Sequence, residues 1–331
     1  MSYNLVDYSN EENLKSEPIR AGFGRGLKKA GDEDERVVAL TADLTDSTQV
    51  TLFKEAHPDR FIQVGIAEQN LATIASGLAH AGKIPFATSY AAFSPGRNWE
   101  QIKTTASLNN QPVKIVGSHA GVTVGPDGAT HQMLEDIAMM RVMPNMVVIA
   151  PGDSLEAEKA TLALARDDRP AYLRLAREKS PIFSAEESPF EIGKAYILKE
   201  GHDVSLIGTG MLTYQFLKAA ELLAEMGVNA EVVHVPTIKP LDEDVILESA
   251  RRNGRVVTGE EAQRAGGLGG AVSEVLSERM PTPVYRIGIH DRFGESGAPY
   301  ELLKHFRLMA PEIAEDVKRF VDTTPKYHQG I

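Results

Sequence analysis

The residues of this chain best suited to chemistry fall in four short stretches. Asp43 and Ser47 lie in ADLTDS, Glu68 in VGIAEQN, Tyr90 and Phe93 in SYAAF, and His119, Asp127 and His131 in SHAGVTVGPDGATHQ. Each has an ordinary explanation when taken alone. A carboxylate in the first turn of a helix complements the macrodipole. Tyr90 and Phe93 are spaced like core residues of one helical turn. Asp-Gly is a common turn pair, and a lone loop histidine is more often a surface group than a catalyst. Together they offer a dry carboxylate, a flat aromatic wall and two imidazoles near a Gly-rich loop. That set suits a heteroaromatic cofactor with a ring nitrogen to bond or protonate.

The elements that must position these groups can be read from periodicity. In RFIQVGIAEQN, Phe61, Ile62 and Val64 make a short buried strand, Gly65 turns the chain, and a helix starts at about Ala67 with Glu68 in its first turn. Leu71, Ala72, Ile74, Ala75, Leu78 and Ala79 make that helix apolar on most of its circumference, which predicts burial. Charged side chains are seldom buried without a partner. Before this unit, Lys15–Ala30 reads as a helix ending near Gly31, and Arg36–Ala42 as a strand running into Asp43 and Ser47. After it, Gly82 caps the helix. Lys83–Thr88 is a strand, Trp99–Leu108 a helix and Val113–Gly117 a strand. The long loop Ser118–Gln132 follows, of a length that is usually functional or disordered. Met133–Met143 returns to helix, Met146–Ala150 to strand, Ser154–Arg166 to helix and Tyr172–Leu175 to strand.

Alternating strands and helices imply a parallel, doubly wound sheet. The polar loops all follow strands, so they should gather at one edge, where open α/β sheets place ligands. The predicted organisation is an arm over residues 1–16, mobile or touching a partner, a first α/β domain over 17–180, a linker over 181–194 and a second α/β domain over 195–331. The second domain has strands near Asp203–Gly208, Ala230–His234, Arg255–Thr258 and Val284–Ile289.

At 331 residues, the chain can bury two sizeable cores. Its formal net charge of −11 argues against nucleic acid and against an anionic membrane as main partners. There is no cysteine, hence no disulfide or thiolate chemistry. The N-terminus is unlike a signal peptide, and no apolar run approaches a bilayer span. These features predict a cytoplasmic protein. Gly208-Thr209-Gly210 lacks the rest of a dinucleotide fingerprint. Gly266-Gly267-Leu268-Gly269-Gly270 opens a helix, and either holds an anion or makes a tight turn. Walker A, zinc-ligand and G-x-S-x-G patterns are absent.

VGIAEQN, the Tyr90/Phe93 stretch, VGPDGATHQ, GEEAQRAGGLGG and FGESGAP resemble transketolase, in its pyrimidine-binding and C-terminal domains. The resemblance runs from about Glu17 to the end of the chain. VGPDGATHQ is shared with deoxyxylulose-phosphate synthase, and less well with the beta subunits of 2-oxo acid dehydrogenases.

The resemblance implies two doubly wound α/β domains with mostly parallel sheets. It implies that Glu68 bonds N1′ of the thiamine diphosphate aminopyrimidine, that Tyr90 and Phe93 line that ring, and that Asp43 and Leu44 lie near the thiazolium. His119, Asp127 and His131 would contact sugar hydroxyls and carbonyl, with His131 assisting proton transfer. Arg20, Ser47 and Arg177 match positions that grip the sugar phosphate. Arg97 matches less well. The family's diphosphate- and metal-holding domain has no counterpart here. The chain therefore resembles the C-terminal subunit of a split transketolase. Its expected partners are an N-terminal subunit holding the diphosphate and a divalent metal such as Mg2+, further copies of itself in an α2β2 assembly, and sugar phosphates. The alternatives are a subunit like deoxyxylulose-phosphate synthase or the 2-oxo acid dehydrogenases, and a non-catalytic assembly module of the same fold.

Overall fold

The computed structural model describes residues 3–9 and 14–327. Its first sheet has seven strands. In spatial order they are Thr237–Lys239, Val147–Ile149, Ala171–Ala176, Lys114–Ala120, Ile84–Tyr90, Val37–Thr41 and Phe61–Gln63. All pair in parallel except Thr237–Lys239, which the second half of the chain contributes as an antiparallel edge. Val37–Thr41 is buried at every position. That is the signature of a parallel strand covered by helices on both faces. The second sheet runs Val284–Ile289, Val256–Gln263, Val204–Gly208, Ala230–His234 and Tyr196–Lys199, with the last strand antiparallel.

Parallel pairing fixes the geography of the site. Val37–Thr41, Phe61–Gln63, Ile84–Tyr90, Lys114–Ala120 and Ala171–Ala176 all end at the same sheet edge. They deliver Asp43, Glu68, Tyr90, His119 and Arg177 there in turn, as expected from the strand-loop alternation.

Behind the sheet, helix Ile19–Glu33 crosses helix Ser154–Ala165 at close range. Gly22 and Gly26 make this possible. A Cβ at Gly22 would sit 1.7 Å from the Ser154 carbonyl oxygen, and one at Gly26 2.8 Å from that of Glu158.

Several local expectations are corrected. The first helix begins at Ile19, not Lys15. Ser16–Pro18 is extended and pairs antiparallel with Lys179–Pro181, because the residue before a proline disfavours the helical region. The helix expected over Met133–Met143 is confined to Asp136–Arg141. Met133 bridges Ala120, and the Leu134 carbonyl accepts from Gln263 N at 2.8 Å, so this stretch is held extended. The segment after Trp99 is one α turn followed by a π-helix over Ile102–Ser107.

The helix Glu68–His80 is buried on one face only. Leu71, Ala72, Ala75 and Ala79 are inside, but Ile74 is 39% exposed and Ile66, just ahead of it, 76%. Gly82 terminates this helix in the left-handed region at φ 86°, donating to the Ala79 carbonyl.

Of the N-terminal arm, residues 1, 2 and 10–13 lie outside the described residues. Leu5 bridges Ser184 antiparallel, and Val6 N donates to the Phe183 carbonyl at 3.0 Å, so this part of the arm is seated on the chain itself.

Candidate active site

Glu68 is the first residue of its helix and is only 3% exposed. Its backbone carbonyl accepts from Asn98 Nδ2 at 2.7 Å, which ties the helix start to the segment after Phe93. Its Oε2 accepts from Arg97 at 2.7 Å. Among the described residues this is the side chain's one hydrogen bond, which leaves Oε1 open. A buried carboxylate with one oxygen paired and the other open is an acceptor set toward a ligand.

The Arg97 guanidinium also lies over the Phe93 ring, 4.9 Å from its centroid. Phe93 stacks with Tyr90 at 6.0 Å and 18°, and Tyr90 stacks on His119 at 3.9 Å and 26°. Phe93 meets His131 edge-on at 5.4 Å. Acid, cation, two aromatic rings and two imidazoles therefore form one continuous set of contacts.

His119 is the next-to-last residue of the strand Lys114–Ala120, at φ 56°, a left-handed conformation uncommon for a side-chain-bearing residue. Ser118 Oγ lies 2.8 Å from its Nδ1. Burial, aided by the Arg20 and Arg177 charges, pushes its pKa down to about 3. His119 is therefore a neutral imidazole at physiological pH, fit to exchange hydrogen bonds with hydroxyls.

Arg20 donates to the Arg177 carbonyl, and Arg177 donates to that of Val124 and faces Asp127 at 3.9 Å. Burial and the nearby Arg177 charge lower the Arg20 pKa, and its Nε has no partner. Two close guanidinium groups, with Asp127 at 3.9 Å and Glu178 also near, make a positively charged corner suited to an anion.

The remaining predicted residues stand apart from this set. Asp43, at φ 59°, donates its backbone N–H to Gln63 Oε1 at 2.8 Å, and Ser47 Oγ donates to the Leu44 carbonyl at 3.3 Å. Among the described residues, no side-chain hydrogen bond or ring contact joins Asp43, Leu44 or Ser47 to the aromatic cluster. They share its sheet edge only. The Gly-rich helix start at Gly267 is filled from within, since the Glu260 carboxylate accepts from Leu268 N and Gly269 N at 2.8 and 2.9 Å. This is the tight-turn reading, and it leaves no anion site there.

Sequence reasoning missed the main role of Arg97 as the counter-ion of Glu68. The signal lay in its place four residues after Phe93, on the segment that Asn98 ties to Glu68. It also missed Gln132, whose Nε2 donates to the Val122, Gly125 and Glu295 carbonyls, and Glu261, whose carboxylate accepts from Thr123 N at 2.7 Å. Among the described residues, no group of three or more His, Cys, Asp or Glu side chains could hold a metal ion, and no helix is long and apolar enough to cross a membrane.

A sheltered acid at a helix start, beside stacked aromatics at the carboxyl edge of a parallel sheet, is the setting in which open α/β domains place ligands. The comparisons with known proteins specify the family. Residues 16–181 match the transketolase pyrimidine-binding domain, and residues 193–313 the transketolase C-terminal domain. The chain belongs to the transketolase family. It is 45% identical over 308 residues to a candidate transketolase C-terminal section from Methanocaldococcus jannaschii, covering 91% of this chain and 96% of that one. It is 41% identical to the 6-deoxy-6-sulfo-D-fructose transketolase subunit SqwH of Clostridium sp. strain MSTE9, covering 92% and 94%. A solved split-gene transketolase, described as an inactive beta4 tetramer, superposes with a TM-score of 0.87 at 41% identity, over 93% of this chain and 99% of that one.

Proposed function

We propose that this chain is the C-terminal subunit of a two-chain, thiamine-diphosphate-dependent transketolase that moves a two-carbon ketol unit from a ketose phosphate to an aldose phosphate. The observation that carries the reading is the buried Glu68, with one carboxylate oxygen open, joined through Arg97 to the Tyr90/Phe93 wall. These residues fit an aminopyrimidine, which needs an acceptor or donor at a ring nitrogen and a flat apolar face. Glu68 would hold the ring nitrogen, Tyr90 and Phe93 the ring, and Asp43 and Leu44 the neighbouring region. When bound, the cofactor supplies the nucleophilic carbon that ketol transfer requires.

The chain's own residues do the rest. His119, neutral, accepts or donates to sugar hydroxyls, and Asp127 reads their configuration. His131 moves a proton at the reacting oxygens. Arg20, Arg177 and Ser47 grip the phosphate, and the two guanidinium groups supply most of the charge.

The diphosphate and a divalent metal such as Mg2+ would be held by a separate N-terminal subunit. Two observations support a partner. A related split-gene chain is inactive as a beta4 tetramer. Ile74, which reads as buried in sequence, is exposed on the Glu68 helix, and Ile66 is exposed just ahead of that helix; a partner would cover both. An α2β2 assembly completes each site from two chains. Phosphorylated sugars do not cross membranes unaided, which agrees with a cytoplasmic enzyme.

The test is ketol transfer by the mixture of both chains, supplied with xylulose 5-phosphate or with pyruvate. Turnover of the ketose phosphate, lost in Glu68→Gln, supports the proposal. Decarboxylation of pyruvate alone supports the deoxyxylulose-phosphate synthase or 2-oxo acid dehydrogenase reading. Undiminished ketol transfer by the Glu68→Gln mixture sinks it.

A further inference from the structure

The segment that runs from His119, near the end of its strand, through Asp127 to His131 belongs to the first domain, but the second half of the chain anchors it. Glu261, on strand Val256–Gln263, is buried and accepts from Thr123 N at 2.7 Å. Its carboxylate lies directly against Gly121. A Cβ at that position would fall 2.3 Å from the Glu261 carboxyl carbon, and Gly121 is at φ 87°. Gly121 thus leaves room for the acid and makes the turn that a side chain would resist.

Glu261 is in turn fixed from below. Buried Arg174 donates to the Glu261 carbonyl at 2.7 Å and to Asp136 Oδ2 at 2.8 Å, and Tyr172 donates to the same oxygen at 2.7 Å. The second oxygen of Glu261 is buried with no partner. Burying a carboxylate with half its acceptor capacity unused is costly, so its net contribution to stability is small or negative.

What the contact does provide is placement. It sits two residues from Gly121 and four from His119, whose ring stacks on Tyr90 at 3.9 Å. We infer that Glu261 is a positioning residue: by fixing Thr123 N it holds the His119 imidazole in register over the Tyr90 ring. The second domain then serves the sugar-binding half of the site directly, beyond packing and assembly. The inference rests on the proposed function for its kinetic consequence, but the placement of His119 can be read without turnover.

The experiment compares Glu261→Ala and Glu261→Gln in the full chain. Glutamine keeps an acceptor for Thr123 N, and alanine does not. In the isolated chain, the His119 ring proton resonances carry the ring-current shift of the stacked Tyr90. The alanine variant should move them toward free-histidine values, and the glutamine variant should leave them in place. In the complex with the N-terminal subunit, alanine should raise the KM for the ketose phosphate roughly tenfold, the worth of one lost hydrogen bond of this kind. Glutamine should restore it, and thiamine diphosphate affinity should change much less than KM in both, because Glu68 is held by Arg97 and Asn98, outside this loop. His119 resonances unmoved in a folded alanine variant overturn the inference. So does a glutamine variant that fails as alanine does, or an alanine variant whose cofactor affinity falls in step with its KM. A wild-type complex inert toward sugar phosphates sinks the proposed function, while the resonance comparison still decides the placement.

Discussion

Arg97 donates to the Glu68 carboxylate at 2.7 Å while its guanidinium covers the Phe93 ring, so one side chain both neutralises the buried acid and ties it to the aromatic wall. Arg97 is itself half exposed, so the pair is worth less than a fully buried one. Arg97→Ala should destabilise the isolated chain by about 1–2 kcal/mol in urea denaturation, since it leaves the acid without a cation. The double variant with Glu68→Gln should recover most of that loss. A double variant as weak as the sum of its parts would show that the two groups are energetically independent.

Burial pushes Glu260 and Glu261 up to about 7 from the ordinary 4.5. Between those values the folded chain keeps a proton that the unfolded chain has released. Each group's stabilising contribution is therefore greatest at low pH and is lost as pH rises to about 7. The shift corresponds to about 3 kcal/mol per group. Glu261→Gln should gain stability relative to wild type on going from pH 5 to pH 8, measured by urea midpoints at each pH. A constant difference across that range would contradict the assignment.

His119 presents the opposite sign. Its pKa is pushed down to about 3 by burial first and then by Arg20 and Arg177. The unfolded chain takes up a proton below about 6.5 that the folded chain refuses, so this group weakens the fold as pH falls from about 6.5 toward 3. Its ring resonances should show no titration between pH 5 and pH 8. Arg177→Ala should move the midpoint upward. A midpoint near 6.5 in the wild-type chain would contradict the buried, doubly positive surroundings.

Ile66, just ahead of the helix that begins at Glu68, and Ile74 on that helix are both exposed. Ile66→Asp with Ile74→Asp should leave the thermal unfolding of the isolated chain within a few degrees of wild type, as surface substitutions do. The same pair should abolish co-elution with the N-terminal subunit. Normal co-elution would place the interface elsewhere.

Much of this was legible in the sequence because parallel sheets read simply. VVALT and the strands around Phe86 and Ile115 are continuous apolar runs, and the polar stretch after each had to surface at one edge. Glu68, Tyr90, Phe93 and His119 could thus be placed together before any coordinates. Arg97 could not be assigned to Glu68, because a contact across 29 residues depends on how the turn at Ser94–Gly96 folds back. Glu261 was hidden for the same reason at longer range. It contacts Thr123 across 138 residues, from a strand of the second sheet to the helical turn Val122–Asp127, which no local period encodes. The exposed face of the Glu68 helix misled in a different way. Its apolar periodicity predicts burial without saying whether this chain or another provides the cover.

On the proposed function, Glu68 awaits a cofactor whose phosphates are anchored on another polypeptide. Calorimetric titration of thiamine diphosphate, with a divalent metal, into the mixture of this chain and the N-terminal subunit tests it most directly. Saturable binding by the wild-type mixture, severely weakened with Glu68→Ala and absent with this chain alone, is the predicted result. Equal affinity in the Glu68→Ala mixture would contradict it.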